Sequence, residues 1–246
     1  MSVRAFPRAR AVLPAAVATA LAMTLAGCGE EKKNDPPAKA EAAANGFAGK
    51  SPDQILADSV AALRGATSFR VAGIMVDEKE TIEIDMVTDG TDAQGKLTLP
   101  IEGTTVSMEV IKVGERAYFR GRDLWKKAGG AALADRVGDR WVAGSREMRQ
   151  NFTSFFTPAG WADILKPDNT TITREADSKI GDRPVVTLKD DSSGILFIAA
   201  TGKPYPLRLA GGDKKGGGEM NFTYDVPVKV SPPPNPLDLT KNPTGV

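Results

Sequence analysis

The chain has no histidine, and its 246 residues include a single cysteine, Cys28. Without histidine there is no Ser-His-Asp or Cys-His nucleophile and no imidazole metal ligand. One cysteine cannot close an internal disulfide, so stability has to come from burial. Phosphate-cradling glycine loops and dinucleotide fingerprints are also missing. Charge of one sign is lacking too: 32 Lys and Arg face 31 Asp and Glu. Residues 1–27 carry Arg4, Arg8 and Arg10 and no acid, leaving 29 against 31 in the remainder. No basic field therefore points to nucleic acid or an anionic surface as partner. Asp190-Asp191 reads as a hairpin turn rather than a calcium site. Glu83 and Asp85, as paired acids for glycosyl chemistry, are expected on opposite faces or at the solvent edge of one strand. Nothing marks a serine–lysine nucleophile. The expectation is a protein that is not an enzyme and needs no cofactor or metal.

What is present begins with an address. After the three arginines comes an apolar run from Ala11 to Leu25, interrupted by Pro14, Thr19 and Thr24. It is too short to cross a ~30 Å hydrocarbon core permanently and ends in small residues, as export signals do. Leu25-Ala26-Gly27-Cys28 resembles the bacterial lipobox, in which a diacylglyceryl group joins the cysteine sulfur and cleavage occurs just before it. The competing reading is a plain secretory signal with a cysteine nearby by chance. The lipobox implies residues 1–27 as signal and a mature chain held by Cys28 on the outer face of a bacterial cell membrane, since two acyl chains hold far better than one. Gly29 to Lys50 has charged residues, Pro36, Pro37 and alanines, with Phe47 its one large apolar residue. Such a composition cannot offset chain entropy, so residues 28–50 are expected to form the lipidated cysteine and a disordered tether.

Residues 51–230 suit one domain. Ser51-Pro52-Asp53-Gln54 has the form of a capping box with proline at the first helical position. Leu56, Val60 and Leu63 follow at helical spacing, and Gly65 ends the helix. The period then changes to two. Strands are expected at Phe69–Val76, Thr81–Thr88, Lys96–Ile101, Thr105–Val113 and Ala117–Gly121, with connections short enough to require an antiparallel meander. A less regular region follows. Trp125 belongs to a helix interrupted by Gly129-Gly130. Ser145 caps a helix carrying Met148, Phe152, Phe155 and Phe156, and Thr157-Pro158 starts another with Trp161, Ile164 and Leu165. Strands resume at Arg183–Lys189, Gly194–Thr201, Tyr205–Ala210 and Glu219–Val226. The proline-rich tail, 231–246, favours an extended path along the surface. Eight aromatics fall between Tyr118 and Trp161. They are either anchors docking helices on the sheet or a lid over an apolar hollow.

Several segments together resemble the LppX/LprG-type lipoproteins, which share the half-barrel of the LolA lipoprotein carrier. They are the lipobox with its tether, Phe69-Arg70-Val71-Ala72-Gly73, Tyr118-Phe119-Arg120-Gly121, Asp139-Arg140-Trp141-Val142 and Phe156-Thr157-Pro158. Gly181-Asp182-Arg183-Pro184-Val185-Val186 and Gly202-Lys203-Pro204-Tyr205-Pro206-Leu207-Arg208-Leu209 complete the set. The resemblance implies an α+β fold: a strongly curved antiparallel half-barrel sheet of about 9–11 strands, with helices packed on or closing its concave face. It also implies an interior cavity for an acyl lipid or glycolipid, carried or presented in the cell envelope, with a lipid exporter or acceptor protein as partner. Acyl chains are held by many apolar side chains rather than a short motif. The candidates are Ile84, Met86, Leu97, Leu99, Met108, Val110, Phe119, Met148, Phe152, Phe155, Phe197, Leu209, Phe222 and Tyr224. The alternative is an extracytoplasmic sensor or interaction lipoprotein with the same fold and a filled interior.

Overall fold

The computed structural model describes residues 46–77, 80–166, 170–191, 193–211 and 217–239. The expected signal, Cys28 and most of the tether lie outside the described residues. Phe47 is buried near the start, and Ser51 then caps helix α1 (Pro52–Arg64). Ser51 Oγ accepts the Gln54 amide at 3.3 Å, and Gln54 Oε1 accepts the Ser51 amide at 2.9 Å. Two orphan donors are thereby satisfied reciprocally. The buried stripe of α1 is Ile55, Ser59 and Leu63, whereas Leu56 and Val60 are only half-buried. The helix is rotated relative to the expected stripe because it packs against a second helix, α4 (Pro158–Ile164), as well as near the sheet.

The first meander comprises β1 (Phe69–Asp77), β2 (Glu80–Thr88), β3 (Ala93–Ile101), β4 (Thr104–Val113) and β5 (Arg116–Arg120). Helix α2 (Arg122–Val137) follows, with non-helical backbone at Gly129 and Gly130, and then the two-residue strand β6 (Val142–Ala143). The single helix expected from Ser145 to Phe156 is two pieces: α3 (Arg146–Asn151) and a 3-10 turn at Thr153–Phe156. Ser145 Oγ caps α3 by accepting the Met148 amide, and Thr153 Oγ–H bonds back to the Arg149 carbonyl at 2.9 Å, where the helix ends. Such back-bonding competes with helix continuation. Thr157 Oγ accepts the Gly160 amide and caps α4. The second meander runs through β7 (Ile172–Arg174), β8 (Ser178–Ile180), β9 (Arg183–Asp190), β10 (Gly194–Ala199), β11 (Pro206–Gly211) and β12 (Gly217–Tyr224).

Pairing of β1 with β12, from Phe69 opposite Tyr224 to Val76 opposite Gly217, joins both meanders. The result is one open, curved sheet of 12 strands in the order β6-β5-β4-β3-β2-β1-β12-β11-β10-β9-β7, with β8 also on β9. The named strand pairs are antiparallel. Strands β6, β7 and β8 were not anticipated, because two or three residues cannot display an alternation. Two glycines allow close approach at the seam. A Cβ at Gly73 would lie 1.9 Å from the Glu219 carbonyl oxygen, and one at Gly218 (φ +109°) 2.1 Å from that of Ile74.

The four helices and the inner sheet face share one apolar cluster. A smaller cluster of Ala66, Val185, Ala199, Tyr205 and Leu207 covers part of the outer face. The tail does more than lie on the surface. The Ala143 amide donates to the Leu237 carbonyl and the Leu237 amide to that of Trp141, both at 2.7 Å. Leu237 and Leu239 pack on the main cluster, so the tail covers the edge at β6.

Candidate functional site

Alternation along the strands places Ile84, Met86, Leu97, Leu99, Val106, Met108 and Val110 on the concave face, buried beneath the helices. The middle of that face is filled. Trp161 of α4 stands edge-on to Phe69 (6.4 Å) and Phe222 (5.9 Å), and Phe155 meets it at 5.9 Å. Phe119 lies 5.4 Å from Phe152. The polar groups drawn in with these rings are paired. Trp161 Nε1–H donates to the Phe155 carbonyl at 3.2 Å, and buried Thr88 Oγ–H to that of Phe156 at 2.7 Å. These bonds tie the 3-10 turn to both the sheet and α4. Ser59 Oγ and Trp125 Nε1 are buried without a hydrogen-bond partner among the described residues.

Apolar space remains at two margins. The larger is a groove of about 820 Å³ between the β2–β3 end of the sheet, α2 and the α3–turn segment. Its floor is Ile82, Leu99 and Ile101; Leu124 forms one wall, and Met148, Phe152 and Phe155 the other. Glu102, Lys127, Glu147 and Asn151 stand at the rim, where Lys127 pairs with Glu102 at 3.0 Å. An apolar floor with a few polar rim groups is the usual make-up of a small-molecule site, and the volume falls in the usual ~300–1,000 Å³ range. The smaller space, about 200 Å³, lies between α1, the end of α4 and strands β7 and β9–β11. Leu56, Leu165, Ile172, Leu188, Leu196 and Leu209 line it. Leu56 and Ile172 also border an outer trough of about 520 Å³ along α1.

The sequence candidates therefore separate. Leu99, Met148, Phe152 and Phe155 meet in the larger groove, and Leu209 lines the smaller space. Ile84, Met86, Leu97, Met108, Val110, Phe119 and Phe222 belong to the packed centre and line neither concave-face space. Phe197 is corrected to the outer face, packing with the satellite cluster, because Leu196 and Ile198 take the inward positions on β10. Tyr224 bridges the two clusters: it stacks on Tyr205 at 3.8 Å and donates its hydroxyl to the Pro206 carbonyl at 2.7 Å. Burial holds that hydroxyl's pKa well above the ordinary tyrosine value. Ile82, Ile101 and Leu124 are groove residues the candidates omit. Ile82 and Ile101 share the alternation of Ile84 and Leu99, which was legible; what sequence does not show is that the groove lies at their end of the strands.

Glu83 and Asp85 share the exposed outer face, two residues apart on β2, so of the two arrangements expected, opposite faces or the solvent side of one strand, the first is corrected and the second stands. Arg70 grips both carboxylate oxygens of Asp85 at 2.7 Å, and this hydrogen bonding holds the carboxyl below its usual range. Asp85 is thus committed to an ion pair. Among the described residues no group of three or more His, Cys, Asp or Glu could hold a metal ion. No helix among them is long and apolar enough to cross a membrane.

No protein-family model and no curated protein sequence matches the chain. The fold does match solved structures. LprF from Mycobacterium bovis aligns with a TM-score of 0.51 at 14% identity, covering 74% of this chain and 98% of that one. The Mycobacterium tuberculosis lipoprotein LppX aligns at 0.43 and 15% identity, covering 74% and 100%. A LolA-superfamily protein from Nitrosomonas europaea aligns at 0.29 and 10% identity, covering 72% and 96%. The alignment with LprF shows a shared fold: an open antiparallel half-barrel with helices on its concave face.

Proposed function

We propose that this protein is a lipid-anchored carrier that binds the acyl part of a lipid or glycolipid and moves or presents it in the bacterial envelope. The observation that carries the reading is the groove of about 820 Å³ floored by Leu99 and walled by Met148, Phe152 and Phe155. It offers an acyl chain a continuous apolar surface, and the Lys127–Glu102 rim offers polar contacts for a headgroup. The part of the wall suited to movement is helix α3, whose six residues include none that is buried, whereas the turn after it is anchored by the Thr88 and Trp161 bonds to carbonyls. Short elements with few buried contacts belong to the low-stability end of a fold, from which lids are drawn. Diacylglyceryl-Cys28 would hold the protein on the outer face of the membrane, with an envelope exporter or acceptor protein as exchange partner. The role is binding and transfer without catalysis.

The packed centre favours a second reading, a non-enzymatic sensor or interaction lipoprotein, because Trp161, Phe69, Phe156 and Phe222 occupy the space a deep cavity would need. A fluorescent fatty-acid titration of the full chain with Cys28→Ser, alongside Leu99→Trp in the same background, separates the two. The carrier reading expects saturable binding that Leu99→Trp abolishes. No binding to either chain, with no lipid in organic extracts, would leave the interaction reading.

A further inference from the structure

We propose that the α1–α4–β7 margin is the face this protein seats on the bilayer, with Ile164 as its inserted side chain. The inference rests on the carrier reading for its purpose, and on separate observations for its place. Among the described residues the exposed large hydrophobics are Ile164, Ile74 and Val76. Ile164 is 45% exposed, and unlike the other two it borders an apolar space leading inward. The same margin holds the half-buried stripe Leu56 and Val60, with Ile172 opposite, along the trough of about 520 Å³. Leu56 and Val60 pack on the core with part of their surface and present the rest to this trough, an apolar edge that α1 leaves partly uncovered.

The chain's connectivity points the same way. The described residues begin at Gly46, and Phe47 is held beside β7, where Arg174 Nη1–H donates to its carbonyl at 3.4 Å. The polypeptide leading back to Cys28 therefore leaves from this margin. Eighteen residue steps separate Cys28 from Gly46, so the two can be no more than about 60 Å apart. Lys50 pairs with Asp58 and Arg64 with Asp163, both at 2.5 Å, and Asp53 and Lys166, of opposite sign, line the same trough. These six charges cancel, so attraction to the bilayer rests on Ile164, Leu56 and Val60 rather than on net charge. Seated this way, the smaller space opens toward the acyl layer.

The test uses the full chain purified from membranes and placed on vesicles of phosphatidylcholine and phosphatidylglycerol. An environment-sensitive dye is attached to a cysteine introduced as Ile164→Cys, Ile74→Cys or Ser107→Cys. The unsubstituted chain, carried through the same labelling, reports any reaction at Cys28. The expected result is blue-shifted emission at position 164 that spin-labelled acyl chains quench, with water-like emission at 74 and 107. Ile164→Glu should slow transfer of a fluorescent phospholipid out of vesicles while leaving affinity for monomeric fatty acid unchanged. Water-like emission at 164, quenching at 74 in its place, or failure to associate with vesicles overturns the proposal. Quenching at 164 in a protein that binds no fatty acid would keep this membrane face and remove the carrier reading.

Discussion

Replacing Val110 or Leu99 with tryptophan adds the same ring at two places on the concave face, and the structure assigns the two opposite consequences. Val110 is 1% exposed and lies between Gly95 on β3 and Phe119 on β5. The glycine offers no spare room, because a Cβ there would already lie 2.6 Å from Met86 Sδ. An indole at Val110 therefore has to displace Met86 or Phe119. Overpacking of that kind costs about 1–3 kcal/mol. For a domain of this size each kcal/mol lowers Tm by about 2–4 °C, so Val110→Trp should melt roughly 2–12 °C below the parent. Leu99 borders the groove of about 820 Å³, and its ring can enter that space with a shift under about 2 °C. Circular-dichroism melts of both variants, with fatty-acid titrations at 25 °C, test the assignment. Leu99→Trp should lose binding at near-parental Tm; Val110→Trp should lose stability first. A Val110→Trp chain that melts like the parent would refute the packed centre, and Leu99→Trp with full affinity would refute the groove.

Hydrogen exchange across residues 146–156 should slow when acyl lipid is bound while β3 and β4 change little; equal protection with and without ligand would make this segment an ordinary core anchor. Gly73→Val should cost more than 3 kcal/mol or prevent folding, since its Cβ has no room beside the Glu219 carbonyl, and chemical denaturation reads this directly. Leu237→Ala should cost about 1–2 kcal/mol by denaturation, because this half-buried side chain packs on the core at the β6 edge. The Asp85 carboxyl should titrate below the ordinary ~3.9 in an NMR pH series. Its folded value is depressed, so its stabilising contribution is present above the unfolded pKa and fades as pH falls through the folded one. Both partners are about half exposed, so Asp85→Asn should cost under about 1 kcal/mol at neutral pH.

The sheet was legible in the sequence because its long strands alternate: Ile82, Ile84 and Met86 on β2, and Val106, Met108 and Val110 on β4. The capping box at Ser51–Gln54 and the Thr157-Pro158 start were equally readable, since local chemistry fixes both. What escaped depends on tertiary context. Ile55 and Ser59, rather than Leu56 and Val60, join Leu63 on the buried side of α1, since α4 decides which stripe is covered. Phe197 faces outward although it is as apolar as its neighbours, because Leu196 and Ile198 hold the concave side. The filled centre was not readable either: no one-dimensional pattern tells that Trp161 stands edge-on to both Phe69 and Phe222.

Whether the groove over Leu99 holds an acyl chain is read most directly by mass spectrometry of organic extracts from the purified Cys28→Ser chain, because no covalent lipid then contributes to the signal. The expected result is an acyl lipid recovered near one equivalent per chain and depleted in the Leu99→Trp form. An extract without lipid, from a chain that also fails to bind added fatty acid, would contradict acyl binding in the groove.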